Sequence, residues 1–146
     1  MISVDLLAVL ATVAFVGLFV GSSMLAGSGF GLEKRASLQL TGDDVFVNIA
    51  GGLEVDEPAV DLGVVAAIAS SFRNAPIDAH TAVFGEVGLT GEVRATTQAV
   101  VRAREAQALG FKTIIMPSSN TAGLERMLGL RAVGVRSVEE ALEALF

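Results

Sequence analysis

Apolar and polar positions along this chain of 146 residues fall into short blocks of two kinds, one with the period of strands and one with that of helices. In "DDVFVNIAG", residues 43–51, Val45, Val47 and Ile49 lie on one side and Phe46, Asn48 and Ala50 on the other, which predicts a strand ended by Gly51 and Gly52. "PAVDLGVVAAIASSF", residues 58–72, is small and apolar on nearly every side and predicts a buried helix. Pro58 suits its first position, where no N–H bond is lost. Asp56, Glu57 and Asp61 set negative charge near the positive end of its dipole. "AVFGEVGLTGEVRA", residues 82–95, reads as a hairpin turning at Thr90-Gly91, with Gly85 and Gly88 marking bulges or close backbone approach. A second helix is expected over 97–110, closed by Gly110, and a buried strand over 111–117, stopped by Pro117. "SSNTAGLERML" predicts a short capped helix, 130–135 a strand, and "SVEEALEAL" a helix opened by a capping box of Ser137 and Glu140. The alternation of these elements predicts one α/β domain with a mixed sheet and packed helices.

The beginning of the chain does not fit that alternation. From Leu6 to Leu32 no residue is charged. The run is long enough to cross a bilayer, and Lys34 and Arg35 after it would set the following domain on the cytoplasmic side. Only Leu6–Val20 is strongly apolar, the rest being Gly- and Ser-rich, and buried strands also read as continuous apolar runs. A membrane anchor, buried strands or a buried helix, and a mobile terminus stay open for residues 1–32. No positive segment precedes the run, which argues against a secretory signal.

Composition narrows the chemistry. Cysteine, tryptophan and tyrosine are absent, so the core is aliphatic plus eight Phe, and thiol nucleophiles, disulfides and thiolate metal sites are excluded. The single histidine, His80, stands in a loop-like "IDAHT" and cannot build a zinc site or a serine-hydrolase triad by itself. No phosphate-binding P-loop motif occurs, and "GSGFG" at 27–31 has no lysine in register. Glu86 and Glu92 flank the hairpin turn, either facing each other as a carboxylate pair or standing as ordinary edge-strand charges. The net charge of −6 argues against nonspecific nucleic-acid affinity for the whole chain. Between Arg73 and Arg136, however, eight basic residues outnumber five acidic ones, so a local basic face is compatible with the sequence.

The order of strand, Pro-started helix, "GEVGLTGEVR" hairpin, helix and "GFKTIIMP" strand resembles the proteolytic domain of Lon-type proteases. There the helix begins G-P-S-A-G, and the catalytic Ser and a Lys on the helix after the hairpin form the dyad. A Lys of depressed pKa serves there as the base for Ser. Aligned on Pro58, the Ser position is Ala59. Aligned on the hairpin, the Lys position is Val100. The resemblance thus implies a Lon-like fold, related to ribosomal protein S5 domain 2, and implies no proteolysis. A peptidase with rearranged catalytic residues is the enzymatic alternative. Asp61 lies two residues past the vacated Ser position and is expected to serve helix-start electrostatics.

"LEKRASLQL", "DVFVNIAGGLEVDEPAVDLGVVAAIASSF", "FGEVGLTGEVR" and "GFKTIIMP" are more closely similar to the C-terminal Lon-like domain of the bacterial RadA (Sms) DNA-repair family, over about residues 32–146. "LLAVL" at 6–10 resembles the end of a family helix that runs directly into E-K-R, which makes Ala11–Leu32 an insertion. The family's four-cysteine zinc motif, RecA-like ATPase and K-N-R-F-G motif have no counterpart here. The resemblance implies a non-catalytic scaffold without cofactor, which assembles as a homo-oligomeric ring and works with an ATPase domain or chain. It also implies a basic surface for DNA, with Arg94, Arg102, Arg104 and Lys112 as candidate contacts. The compartment expected on this basis is the cytoplasm, the alternative being a membrane-anchored interaction domain held by Leu6–Leu32.

Overall fold

The computed structural model describes residues 57–124 and 127–146, together with the backbone of two short strands, β1 (Phe19–Gly21) and β2 (Asp44–Phe46). These two strands pair antiparallel, Phe19 opposite Phe46. β1 lies inside the uncharged Leu6–Leu32 run, so the chain is extended at that point. The remaining residues of that run, and of the strand expected over 43–51, lie outside the described residues. Among the described residues no helix is long and apolar enough to cross a membrane.

The body of the fold is a parallel sheet with helices on both faces. Its strands are β3 (Thr81–Val83), β6 (Thr113–Pro117) and β7 (Arg131–Val135), in the order β3–β6–β7. Alternate side chains of a strand go to opposite faces, so the apolar runs of these strands feed two cores. On one face Val83, Ile115 and Val135 pack against α1 (Asp61–Arg73) and α3 (Val138–Leu145) through Leu62, Val65, Ala69, Ala141 and Leu142. On the other, Ala82, Phe84, Ile114 and Met116 pack against Ala99, Ala103 and Ala106 of α2 (Ala99–Ala108). The α/β class expected from the alternation of elements is the one observed.

The local signals act where they were read. Glu57 caps a single 3-10 turn, Pro58–Val60, which leads into α1, and Pro58 opens that turn without loss of a bond. α1 is buried from Leu62 to Ala69 apart from Val64, the outcome expected of its small apolar body. α2 ends in a Schellman motif: Phe111 N–H donates to Ala106 C=O, Gly110 N–H donates to Gln107 C=O, and Gly110 takes the left-handed φ of 92°. Ser137 caps α3 by accepting from the N–H of Glu140 at 3.2 Å.

Three expectations need correction. The stretch 82–95 is not one hairpin. Its first part is β3, which pairs in parallel with β6, and only β4 (Glu86–Val87) and β5 (Val93–Arg94) form the hairpin. The turn is centred on Leu89-Thr90, one residue earlier than expected, with Gly91 at φ 83° completing a three-residue loop between Gly88 and Glu92. "SSNTAGLERML" begins with a 3-10 turn, Ser118–Asn120, without a side-chain cap, and continues as turns through Leu124. The Asn120 side chain is instead occupied in a two-way bond with the backbone of Thr96. The capping box is only half formed, because the Glu140 carboxylate accepts from the N–H and guanidinium of Arg136 rather than from Ser137.

Candidate nucleic-acid interface

Arg102 decides how the basic residues divide. It lies on α2 in register with Ala99, Ala103 and Ala106, the stripe that faces the sheet. Arg102 is therefore 3% exposed. A guanidinium taken out of water needs partners for its donors. Nη2 lies 3.1 Å from Glu57 Oε2, Nε donates to Thr97 C=O at 3.1 Å, and the group stacks over the Phe84 ring, 5.9 Å from its centre. Arg102 thus fastens α2 to the turn before α1. Its place among the candidate DNA contacts is corrected accordingly: no face of the guanidinium is presented outward. The signal was in the sequence, since positions 99, 102, 103 and 106 form one helical stripe that is otherwise alanine.

Arg94 is exposed but engaged. It leaves β5 opposite Glu86, reaches that carboxylate at 3.3 Å, and meets Glu92 with both Nε and Nη2. The register therefore puts an arginine, not Glu92, across from Glu86. The two glutamates share one cation and do not form the paired-carboxylate arrangement of an acid–base catalyst. Thr90 adds its hydroxyl and N–H to Glu92. The Thr90 bonds, the backbone and Arg94 together hold the Glu92 carboxyl down to about 2. Arg104 and Lys112 are exposed, and among the described residues neither forms an ion pair. Arg104 projects from α2 away from the alanine stripe, and Lys112 stands just before β6. Of the four candidate contacts, Arg102 is buried, Arg94 is paired with glutamates, and Arg104 and Lys112 are exposed on different elements.

The two positions aligned with the protease dyad, Ala59 and Val100, are both apolar. Ala59 is fully buried in the 3-10 turn, and its C=O accepts from Gly85 N–H at 2.8 Å while Gly85 C=O accepts from Leu62 N–H. A glycine suits this position, because a Cβ on Gly85 would meet Val93 Cγ1 at 3.0 Å and Leu62 Cδ2 at 3.2 Å. Val100, half-buried, packs with Val60 against the core that holds Ala82, Phe84 and Ile114. Asp61 opens α1 as expected, and its Oδ2 also accepts from Val87 N–H at 3.2 Å, tying the helix start to the hairpin. Burial pushes its carboxyl upward, the Val87 bond opposes that, and the nearby Glu86 charge adds to it.

One grouping was missed from the sequence. At the starting edge of the parallel sheet His80, Lys112 and Arg131 stand on neighbouring strand starts, around a hollow of about 420 Å³. Only the register of β3, β6 and β7 brings them together, and register between strands distant in the chain leaves no local mark in the sequence.

Residues 33–120 match the family model described as subunit ChlI of Mg-chelatase. The chain belongs to this family. The matched region includes Ala59, Arg94, Val100, Arg102, Arg104 and Lys112 and stops short of Arg131. Curated relatives carry a different description. The chain is 47% identical over 112 residues to the DNA repair protein RadA of Halalkalibacterium halodurans, an alignment covering 77% of this chain and 24% of that protein. It is 47% identical over 111 residues to the DNA repair protein RadA of Bacillus subtilis, covering 76% and 24%. With that of Streptococcus pneumoniae it shares 40% over 115 residues, covering 79% and 27%. The chain thus spans about a quarter of the length of these relatives.

Proposed function

We propose that this chain is a non-catalytic, Lon-like scaffold domain of a RadA-type DNA repair and recombination protein, which supports ring assembly in the cytoplasm and touches DNA through exposed cations. The observation that carries this reading is the 40–47% identity to proteins named DNA repair protein RadA over more than three quarters of the chain. The apolar side chains of Ala59 and Val100 support a domain without peptidase activity, since neither can attack a carbonyl or take a proton. Arg104 and Lys112 are the preferred phosphate contacts, because their charges face water and are not spent on carboxylates. Arg94 contributes only if a phosphate displaces Glu86 and Glu92 from it. Arg102 supports the surface from beneath by fixing α2.

The test joins light scattering of the full chain with titration of a fluorescent single-stranded oligonucleotide and a fluorogenic peptide assay. A ring-sized mass, salt-sensitive DNA binding and no peptide cleavage are expected. A monomer indifferent to DNA sinks the scaffold reading. Steady peptide cleavage, lost on denaturation, revives the enzymatic one.

A further inference from the structure

The hollow at the starting edge of the sheet has a construction of its own. Thr81 on β3, Thr113 on β6 and Arg131 on β7 are direct register partners across three adjacent strands. Neighbouring strands lie about 4.8 Å apart and register partners share a face, so the two hydroxyls and the arginine form one polar row. Lys112 and His80 stand beside the row at the sheet's rim. Lys112 N–H donates to His80 C=O and Arg131 N–H to Lys112 C=O, both at 2.8 Å, which fixes the three strand starts relative to one another. Ala144 and Leu145 of α3 form the apolar wall, and Asp78 completes the lining.

What this row lacks is an acceptor. The threonine hydroxyls that bond among the described residues are those of Thr90 and Thr121, not Thr81 or Thr113. The described ion pairs involve neither Lys112 nor Arg131. Two negative elements oppose an anion here, Asp78 and the C-terminal end of α3. Asp78 is turned toward His80, accepting from its N–H at 2.7 Å and lying 3.7 Å from its Nδ1. Arg131 and the two hydroxyls share one face of the sheet, and Lys112, one position before Thr113, lines the hollow from its rim; two cations and two hydroxyl donors suit the tetrahedral array of acceptors that a phosphate group presents. We propose that this hollow binds a phosphate group, held by Arg131 and Lys112 with the Thr81 and Thr113 hydroxyls as oriented donors.

The phosphate belongs either to a nucleic-acid strand or to a free phosphate, and only Lys112 is shared with the DNA surface proposed above. The experiment follows backbone amide signals of the isotopically labelled full chain by NMR during titration with inorganic phosphate, at constant ionic strength held with chloride. Saturable shifts at Thr81, Lys112, Thr113 and Arg131 are expected, with affinity lowered about tenfold or more by Arg131→Ala and also weakened by Thr113→Val. Absence of saturable shifts overturns the proposal, as do shifts that Arg131→Ala leaves unchanged in folded protein. Adding a single-stranded oligonucleotide then assigns the source. Competition with phosphate identifies a strand phosphate as the occupant. DNA binding without competition leaves the phosphate site standing and removes Lys112 from the DNA surface.

Discussion

Replacing Arg102 by alanine is the change that most sharply separates a structural arginine from a DNA contact. It removes the 3.1 Å contact to Glu57, the 3.1 Å bond to Thr97 C=O and the stack over Phe84 together. Removing one partner of a buried ion pair costs about 3–5 kcal/mol, because the other charge is left uncompensated. The Glu57 side chain keeps 32% exposure, so water solvates part of the orphaned carboxylate and the ionic loss falls to the low end, about 3 kcal/mol. The lost stack and the cavity under α2 bring the total to roughly 3–4 kcal/mol. For a domain of this size that lowers the melting temperature by about 10 °C. The assay is urea unfolding followed by circular dichroism, with Arg104→Ala as the surface control, expected to change stability by less than about 0.5 kcal/mol. Replacing the pair together, Glu57→Gln with Arg102→Met, should cost less than Arg102→Ala alone, since no charge is then stranded. An Arg102→Ala loss as small as that of Arg104→Ala would refute the buried assignment.

Other consequences are local. Gly134→Ala sets a Cβ 2.9 Å from Ser118 Cα, which is backbone and cannot rotate away, so a loss of about 1–3 kcal/mol is expected in thermal unfolding. Asp61→Ala removes both the helix-start charge and the acceptor of Val87 N–H, and should cost about 1–2 kcal/mol with loss of amide-exchange protection at Val87. Carbon-detected titration should place the Glu92 carboxyl near 2. Because that folded value lies below the ordinary one of 4.5, the contribution is complete above about pH 4.5 and fades as pH falls toward 2. Thr90→Val should move the midpoint upward, and Glu92→Gln should remove this part of the acid dependence.

The sequence made the helices and their ends readable because those signals are local. Gly110, Ser137 and Pro58 act within one turn of where they stand. Strand partnership is not local. The period-two pattern of "AVFGEV" is the same whether Ala82 pairs back onto the hairpin or forward onto Ile114, and only the fold selects the latter. The arginines were misjudged although their signal is local. Arg102 and Arg104 differ by two positions, a rotation of about 200° on a helix, which separates a core-facing guanidinium from an exposed one. A count of positive charge treats them alike. The hollow at Lys112 was invisible because it requires three strand starts in register, while the apolar places of Ala59 and Val100 were legible from alignment to a family pattern alone.

The central claim, that this domain meets DNA through exposed cations on a non-catalytic scaffold, is tested most directly by fluorescence anisotropy of a single-stranded oligonucleotide with the full chain at low and moderate salt. The account predicts binding that weakens steeply with salt and falls further, with a reduced salt slope, in Arg104→Ala and Lys112→Ala. Binding that ignores salt and both substitutions, or no binding by a correctly folded chain, would contradict it.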